Sequence, residues 1–212
     1  RYQDDYLMLY GDGQTKLGTD GWSSAMHPIP HVFSGGLLYD AITPSPTKYP
    51  TLRPTTSPTT AEPSKSPTSA PSQSPVVTET ISTQFESTNS YAGTMFNVQT
   101  RQYNVYITSM AFNTDKYNTN VNFKLYVRDG SYVNHDKELN GWDLVLSKSV
   151  KGSGLDKPTY IQFDTPIEMS ARTTKSFYLT SDGPHIRVSK GVGTGDNDWG
   201  VATASDEPER AT

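Results

Sequence analysis

The sequence predicts an all-β fold for residues 76–212, an antiparallel β-sandwich of jelly-roll or immunoglobulin-like type. Three observations carry this. Short apolar runs alternate with polar residues at period two, the signature of half-buried strands. Gly, Pro, Asn and Asp interrupt those runs at intervals of about 8–12 residues, the spacing of sandwich strands. No segment shows the 3.6-residue apolar period of an amphipathic helix, and His135 to Asn140 offers at most one turn.

Taken in order, Met95-Phe96-Asn97-Val98 opens one strand. Val105 and Ile107, then Met110 and Phe112, fall on two alternating runs whose phase changes at Thr108-Ser109, which predicts a bulge. Phe123, Leu125 and Val127 alternate with Asn122, Lys124 and Tyr126 and stop at the turn dipeptide Asp129-Gly130. Arg128-Asp129-Gly130 therefore reads as a hairpin turn, not as the Arg-Gly-Asp adhesion motif. Trp142, Leu144 and Leu146 continue the pattern after Gly141. Tyr160–Phe163, Ile167–Met169, Phe177–Leu179 and Ile186–Val188 supply four more short strands.

Ahead of these strands lies a proline run at residues 43–75: Pro44, Pro46, Pro50, Pro54, Pro58, Pro63, Pro67, Pro71 and Pro75. Proline fixes φ and removes a backbone donor, so the segment can be neither helix nor interior strand. Its composition predicts polyproline II or a disordered linker, of the kind found in O-glycosylated extracellular stalks. The candidate glycan acceptors are Ser45, Thr47, Thr51, Thr55, Thr56, Ser57, Thr59, Thr60, Ser64, Ser66, Thr68, Ser69, Ser72 and Ser74. No Asn-x-Ser/Thr sequon is present, so O-linked glycans are expected. Fully extended at ~3.1 Å per residue, the run would span about 100 Å.

Residues 1–42 form an N-terminal arm in which five Asp outweigh Arg1 and Lys16. Its apolar patches are Tyr6–Tyr10, stopped by Gly11-Asp12-Gly13, then Val32-Phe33 and Leu37-Leu38-Tyr39 around Gly35-Gly36. So short and broken a segment cannot bury a core alone. It either folds onto its own domain, trails as a tail, or docks on a neighbouring subunit by strand addition or groove binding. The expectation is inter-subunit docking, with contacts through Tyr6, Leu7, Leu9, Trp22, Phe33, Leu37 and Leu38, so that deleting residues 1–42 would leave a folded monomer.

Composition narrows the classes further. There is no cysteine, so core, assembly or ligand must supply what disulfides would give a secreted protein. A net charge of −4 without a basic patch argues against a nucleic-acid partner. No stretch approaches the ~20 apolar residues of a membrane span. The chain starts at Arg1 without a signal-peptide pattern, which suggests a processed or trimmed form.

Catalytic patterns are weak. His27 and His31 sit in His-Pro-Ile-Pro-His, where the prolines hold the imidazoles roughly 12 Å apart and deny them a shared metal within the chain. Gly152-Ser153-Gly154 lacks the spacing of a nucleophile elbow and marks a turn between strands. Gly191-Val192-Gly193-Thr194-Gly195 lacks dinucleotide-loop spacing and reads as a β–β loop. Asp196-Asn197-Asp198-Trp199-Gly200 alternates oxygen ligands as a calcium loop does, without the terminal Glu, so structural calcium is the one cofactor in view. Tyr132, Trp142 and Trp199 are candidates for stacking on sugar rings, with core packing as the alternative.

The stretch SPTKYPTLRPTTSPTTAEPSKSPTSAPSQSP resembles the Pro-Ser/Thr linkers of secreted and cell-wall proteins from diatoms and other stramenopile algae. Gly93–Val98, Leu125–Tyr132, Trp142–Val145 and Phe177–Thr180 are similar to the cysteine-poor β-domain that accompanies such linkers. The resemblance implies hydroxylation of Pro46, Pro50, Pro54, Pro58, Pro63, Pro67, Pro71 and Pro75, and no active site. The expectation is a secreted structural glycoprotein, not an enzyme, whose partners are copies of itself and covalent glycans. A carbohydrate-binding module on a glycosylated stalk is the alternative.

Overall fold

The computed structural model describes residues 2–10, 15–16, 31–44, 74–87, 89–190 and 202–203. Among the described residues, five strands precede the proline run: β1 (Tyr2–Gln3), β2 (Leu7–Tyr10), β3 (Thr15–Lys16), β4 (His31–Phe33) and β5 (Gly35–Ile42). After it come β6 (Val76–Ser82), β7 (Asn89–Tyr91), β8 (Gly93–Thr100), β9 (Asn104–Thr114) and β10 (Tyr117–Asp129). The chain continues with β11 (Asp143–Ser153), β12 (Pro158–Met169), β13 (Thr174–Ser181), β14 (Ile186–Lys190) and β15 (Ala202–Thr203). There is no helix among the described residues.

The strands form two sheets. The first runs β11-β10-β13-β8-β2-β1-β15, with β3 also on β8; the second runs β4-β14-β9-β5-β6, with β12 on β9 and β7 on β14. Pairing is antiparallel apart from the short β1–β15 contact. Inward residues of both sheets share one core, in which Phe96, Val98, Phe123, Leu125, Phe177 and Leu179 meet Ile107, Met110, Phe112, Ile186 and Val188. The result is an all-β, sandwich-like fold.

The phase change in β9 is a bulge. Leu38 pairs with Ser109 and Tyr39 with Ile107, which leaves Thr108 unmatched opposite β5. The extra residue returns Ile107 and Met110 to the same face, and both are buried.

Two local expectations change. Gly130 ends β10 with φ 83°, but residues 131–142 then form a loop, not a tight hairpin. Asn97 holds that loop: its Oδ1 accepts from Tyr132 N at 3.3 Å and Ser176 Oγ at 2.8 Å, and its Nδ2 donates to Ser131 Oγ at 3.2 Å. Tyr132 and Trp142 thereby cover Met95 and Tyr178 on the outer face of the first sheet. Leu144 does not continue the core pattern, because the register shifts between Leu125↔Leu146 and Tyr126↔Leu144. That slip keeps Leu146 inside and leaves Leu144 half exposed on the face of Tyr126.

The largest departure concerns the boundary at residue 76. The described part of residues 1–42 is not an appendage: β5 lies between β6 and β9, and β2 pairs with β8. Leu7, Leu9, Phe33, Leu37, Tyr39 and Ala41 join the common core. Strands on both sides of the proline run thus build the same two sheets, the alternative in which the arm folds onto its own domain.

The entry to β5 tolerates no side chain at Gly35. A Cβ there would lie 2.2 Å from Phe33 Cζ and 2.3 Å from the backbone oxygen of Ala111. The backbone contact cannot move without opening the β5–β9 ladder. Gly35→Ala is expected to destabilise the fold by about 1–3 kcal/mol, read as a lower urea midpoint at unchanged m-value.

Candidate functional site

The base of the proline run is built from the ends of β5 and β6. Ile42 pairs with Val76, and Thr43 then donates twice to Pro75 O, from N and from Oγ1, each at 3.1 Å. Proline has no N–H, so Pro75 serves where only its carbonyl is needed and the ladder stops there. Ser74 and Pro75 are exposed, as is Pro44. Of the modification candidates, Ser74 and Pro75 fall among the described residues; the other acceptor and hydroxylation candidates lie outside them.

This geometry revises the run's reach. Both ends sit on neighbouring strands, about 4.8 Å apart. Whatever path residues 45–73 take, a run tied at both ends within one chain can reach only about half its contour, roughly 50 Å, not 100 Å. The two strands that flank it, β5 and β6, are paired with each other along their length.

The candidate contact residues divide accordingly. Leu7, Leu9, Phe33 and Leu37 are buried in the chain's own core, and Phe33 stacks on Phe96 at 4.2 Å between centroids. Tyr6 is half-buried beside Tyr39 and Tyr103, Leu38 is half-buried, and Trp22 lies outside the described residues. Leu7, Leu9, Phe33 and Leu37 are therefore used within the fold.

A polar clasp joins the arm's two parts. Asp4 Oδ1 accepts from Tyr6 N at 2.8 Å and Leu7 N at 2.7 Å, while Oδ2 accepts from Tyr39 OH at 2.6 Å. Burial first, then the hydrogen bond to Asp4, pushes the Tyr39 phenol far above its ordinary value of 10.0. The folded state thus keeps the phenol protonated where the unfolded chain releases it. The stability linked to Tyr39 is full below pH 10.0 and falls as pH rises above it, by about 1.4 kcal/mol per unit. Urea titrations across that range should show this alkaline loss, and Tyr39→Phe should flatten it.

The outer face of the second sheet carries a groove of about 470 Å³ lined by Leu38, Thr80, Ser82, Phe85, Tyr160 and Gln162 over a floor that includes Gly36 and Ala111. Tyr160 is 67% exposed there, and Gln162 Nε2 donates to Thr108 O at 3.0 Å. The aromatics singled out from sequence are elsewhere: Tyr132 and Trp142 are buried, Trp142 donating Nε1–H to His135 O at 2.9 Å, and Trp199 lies outside the described residues. Tyr160 and Gln162 were readable as one face, since they alternate with buried Ile161 and Phe163. Nothing local could show that Phe85 and Leu38 would join them.

Among the described residues, no three His, Cys, Asp or Glu side chains gather to hold a metal. The Asp196–Gly200 loop and the side chains of His27 and His31 fall outside those described. No described helix is long and apolar enough to cross a membrane. No protein family, curated protein or solved structure matches this chain. The class rests on the fold: an all-β protein of two antiparallel sheets, interrupted by a proline-rich excursion between neighbouring strands.

Proposed function

We propose that this chain is a secreted, extracellular structural glycoprotein that self-assembles into a filament or matrix fibre of a cell surface or wall. One observation carries the proposal: the Pro/Ser/Thr run leaves and rejoins the sandwich between β5 and β6, at exposed Ser74 and Pro75. Each subunit then projects an O-glycosylated, polyproline II-like segment from one sheet edge while the sandwich remains the building block. Hydroxylated prolines and glycans would stiffen that segment and keep it solvated. Electron microscopy of native material together with intact mass tests this. Fibres with excess mass confined to residues 43–75 are expected; unmodified, dispersed subunits would overturn it.

The groove favours a second reading, a carbohydrate-binding or adhesive module. An exposed tyrosine beside amide and hydroxyl groups over a small-residue floor suits a neutral sugar chain, which needs an apolar face to stack on and polar groups to orient it. Tyr160→Ala is expected to weaken retention on glycan surfaces about tenfold without lowering the urea midpoint. Unchanged retention would remove this reading.

A further inference from the structure

Every described strand before the proline run finds a partner beyond it, directly or through one neighbour. β2 and β3 pair with β8, and β1 pairs with β2 and β15. β4 pairs with β14, and β5 sits between β6 and β9. Leu37, Tyr39 and Ala41 of β5 are wholly buried. Without β5, the second sheet would open two ladders and the core would lose a row of side chains. The arm and the remainder are therefore two complementary pieces joined by one covalent connection, residues 43–75.

That connection is long relative to the fold. A domain of this size has a radius of gyration of roughly 16 Å, whereas the run can reach about 100 Å when extended. The contacts that close the arm onto its own chain can thus form equally well with the next copy. The balance depends on whether the run doubles back or stays extended. Doubling back brings its ends to adjacent strands; an extended, sugar-bearing run resists that and holds the arm away from its own acceptor.

Resting on the filament reading above, we infer that the arm is an exchangeable set of strands: in the assembled state β5 of one copy inserts between β6 and β9 of a second copy of this chain. The joint is heterologous, since each subunit gives its arm to one neighbour and receives from another, and such a joint grows into an open filament where its rotation does not close a ring. The buried contacts of the monomer become the subunit contacts of the fibre. No new interface is needed, and the proline run becomes the tether between subunits.

The absence of cysteine makes the test direct. Asp40 and Thr78 are cross-strand partners of β5 and β6, with Thr78 Oγ1 donating to Asp40 Oδ1 at 2.6 Å. Full-length Asp40→Cys/Thr78→Cys chain is assembled, oxidised and run on denaturing gels with and without reductant. Exchange yields a ladder of cross-linked multimers that collapses to monomer on reduction. Tyr106→Cys/Glu168→Cys, a pair lying wholly after the run, should cross-link within the chain and stay monomeric. Leu38→Cys/Thr80→Cys provides a second β5–β6 pair if the first fails to oxidise. Fibres whose β5–β6 cross-links are all intrachain overturn exchange and leave the filament reading standing. Cross-linked dimers without fibres support exchange and overturn the filament. Dispersed monomers with intrachain cross-links overturn both.

Discussion

Removing residues 1–42 is expected to abolish the fold. The truncated chain loses β5 from between β6 and β9 and β2 from beside β8. It also loses Leu7, Leu9, Phe33, Leu37 and Tyr39 from the core. Fully burying one such side chain is worth about 1.5–3 kcal/mol, so five of them together are comparable to the whole stability of an ordinary domain, roughly 5–15 kcal/mol. The exposed ladder edges of β6 and β9 would promote aggregation. Loss of cooperative thermal unfolding and of near-UV circular dichroism checks this. A folded, monomeric truncation, the outcome expected of a docking arm, would refute the shared core.

Leu37→Ala carries the second large effect. Leu37 is wholly buried beside Met110 in register, whereas its neighbour Leu38 points to the outer face and lines the groove. Deleting a buried leucine side chain costs about 2–5 kcal/mol, the transfer free energy plus the cavity left behind. Leu38→Ala, half-buried to begin with, should cost about 1 kcal/mol or less. Measured by urea unfolding, a wide gap between these adjacent leucines is expected. Equal effects would mean that β5 is not seated as described.

How much was legible follows from the distance over which each feature acts. Period-two alternation is local, so Phe123, Leu125 and Val127, and the bulge at Thr108, could be read directly. The same alternation exists in Leu37, Tyr39 and Ala41. The proline run beside it, though, suggested a boundary, and local pattern assigns a face without naming a partner strand. β5 meets β9 across roughly seventy residues, as the bond from Thr108 Oγ1 to Leu38 O shows. The groove had the same limit: Tyr160 and Gln162 share a face by alternation, but Leu38 arrives from β5 and Phe85 from the segment that follows β6. Leu144 was misplaced by the register shift beside Leu125, which alternation alone does not reveal.

The central claim is that strands on both sides of the proline run form one sandwich, and cleavage within the run tests it most directly. A protease site placed between Thr60 and Ala61 of the full-length chain is cut under native conditions, and the products are run by size exclusion. Fragments that co-elute, keep their near-UV signal and separate only in denaturant are the expected result. A folded C-terminal fragment eluting alone would contradict the claim.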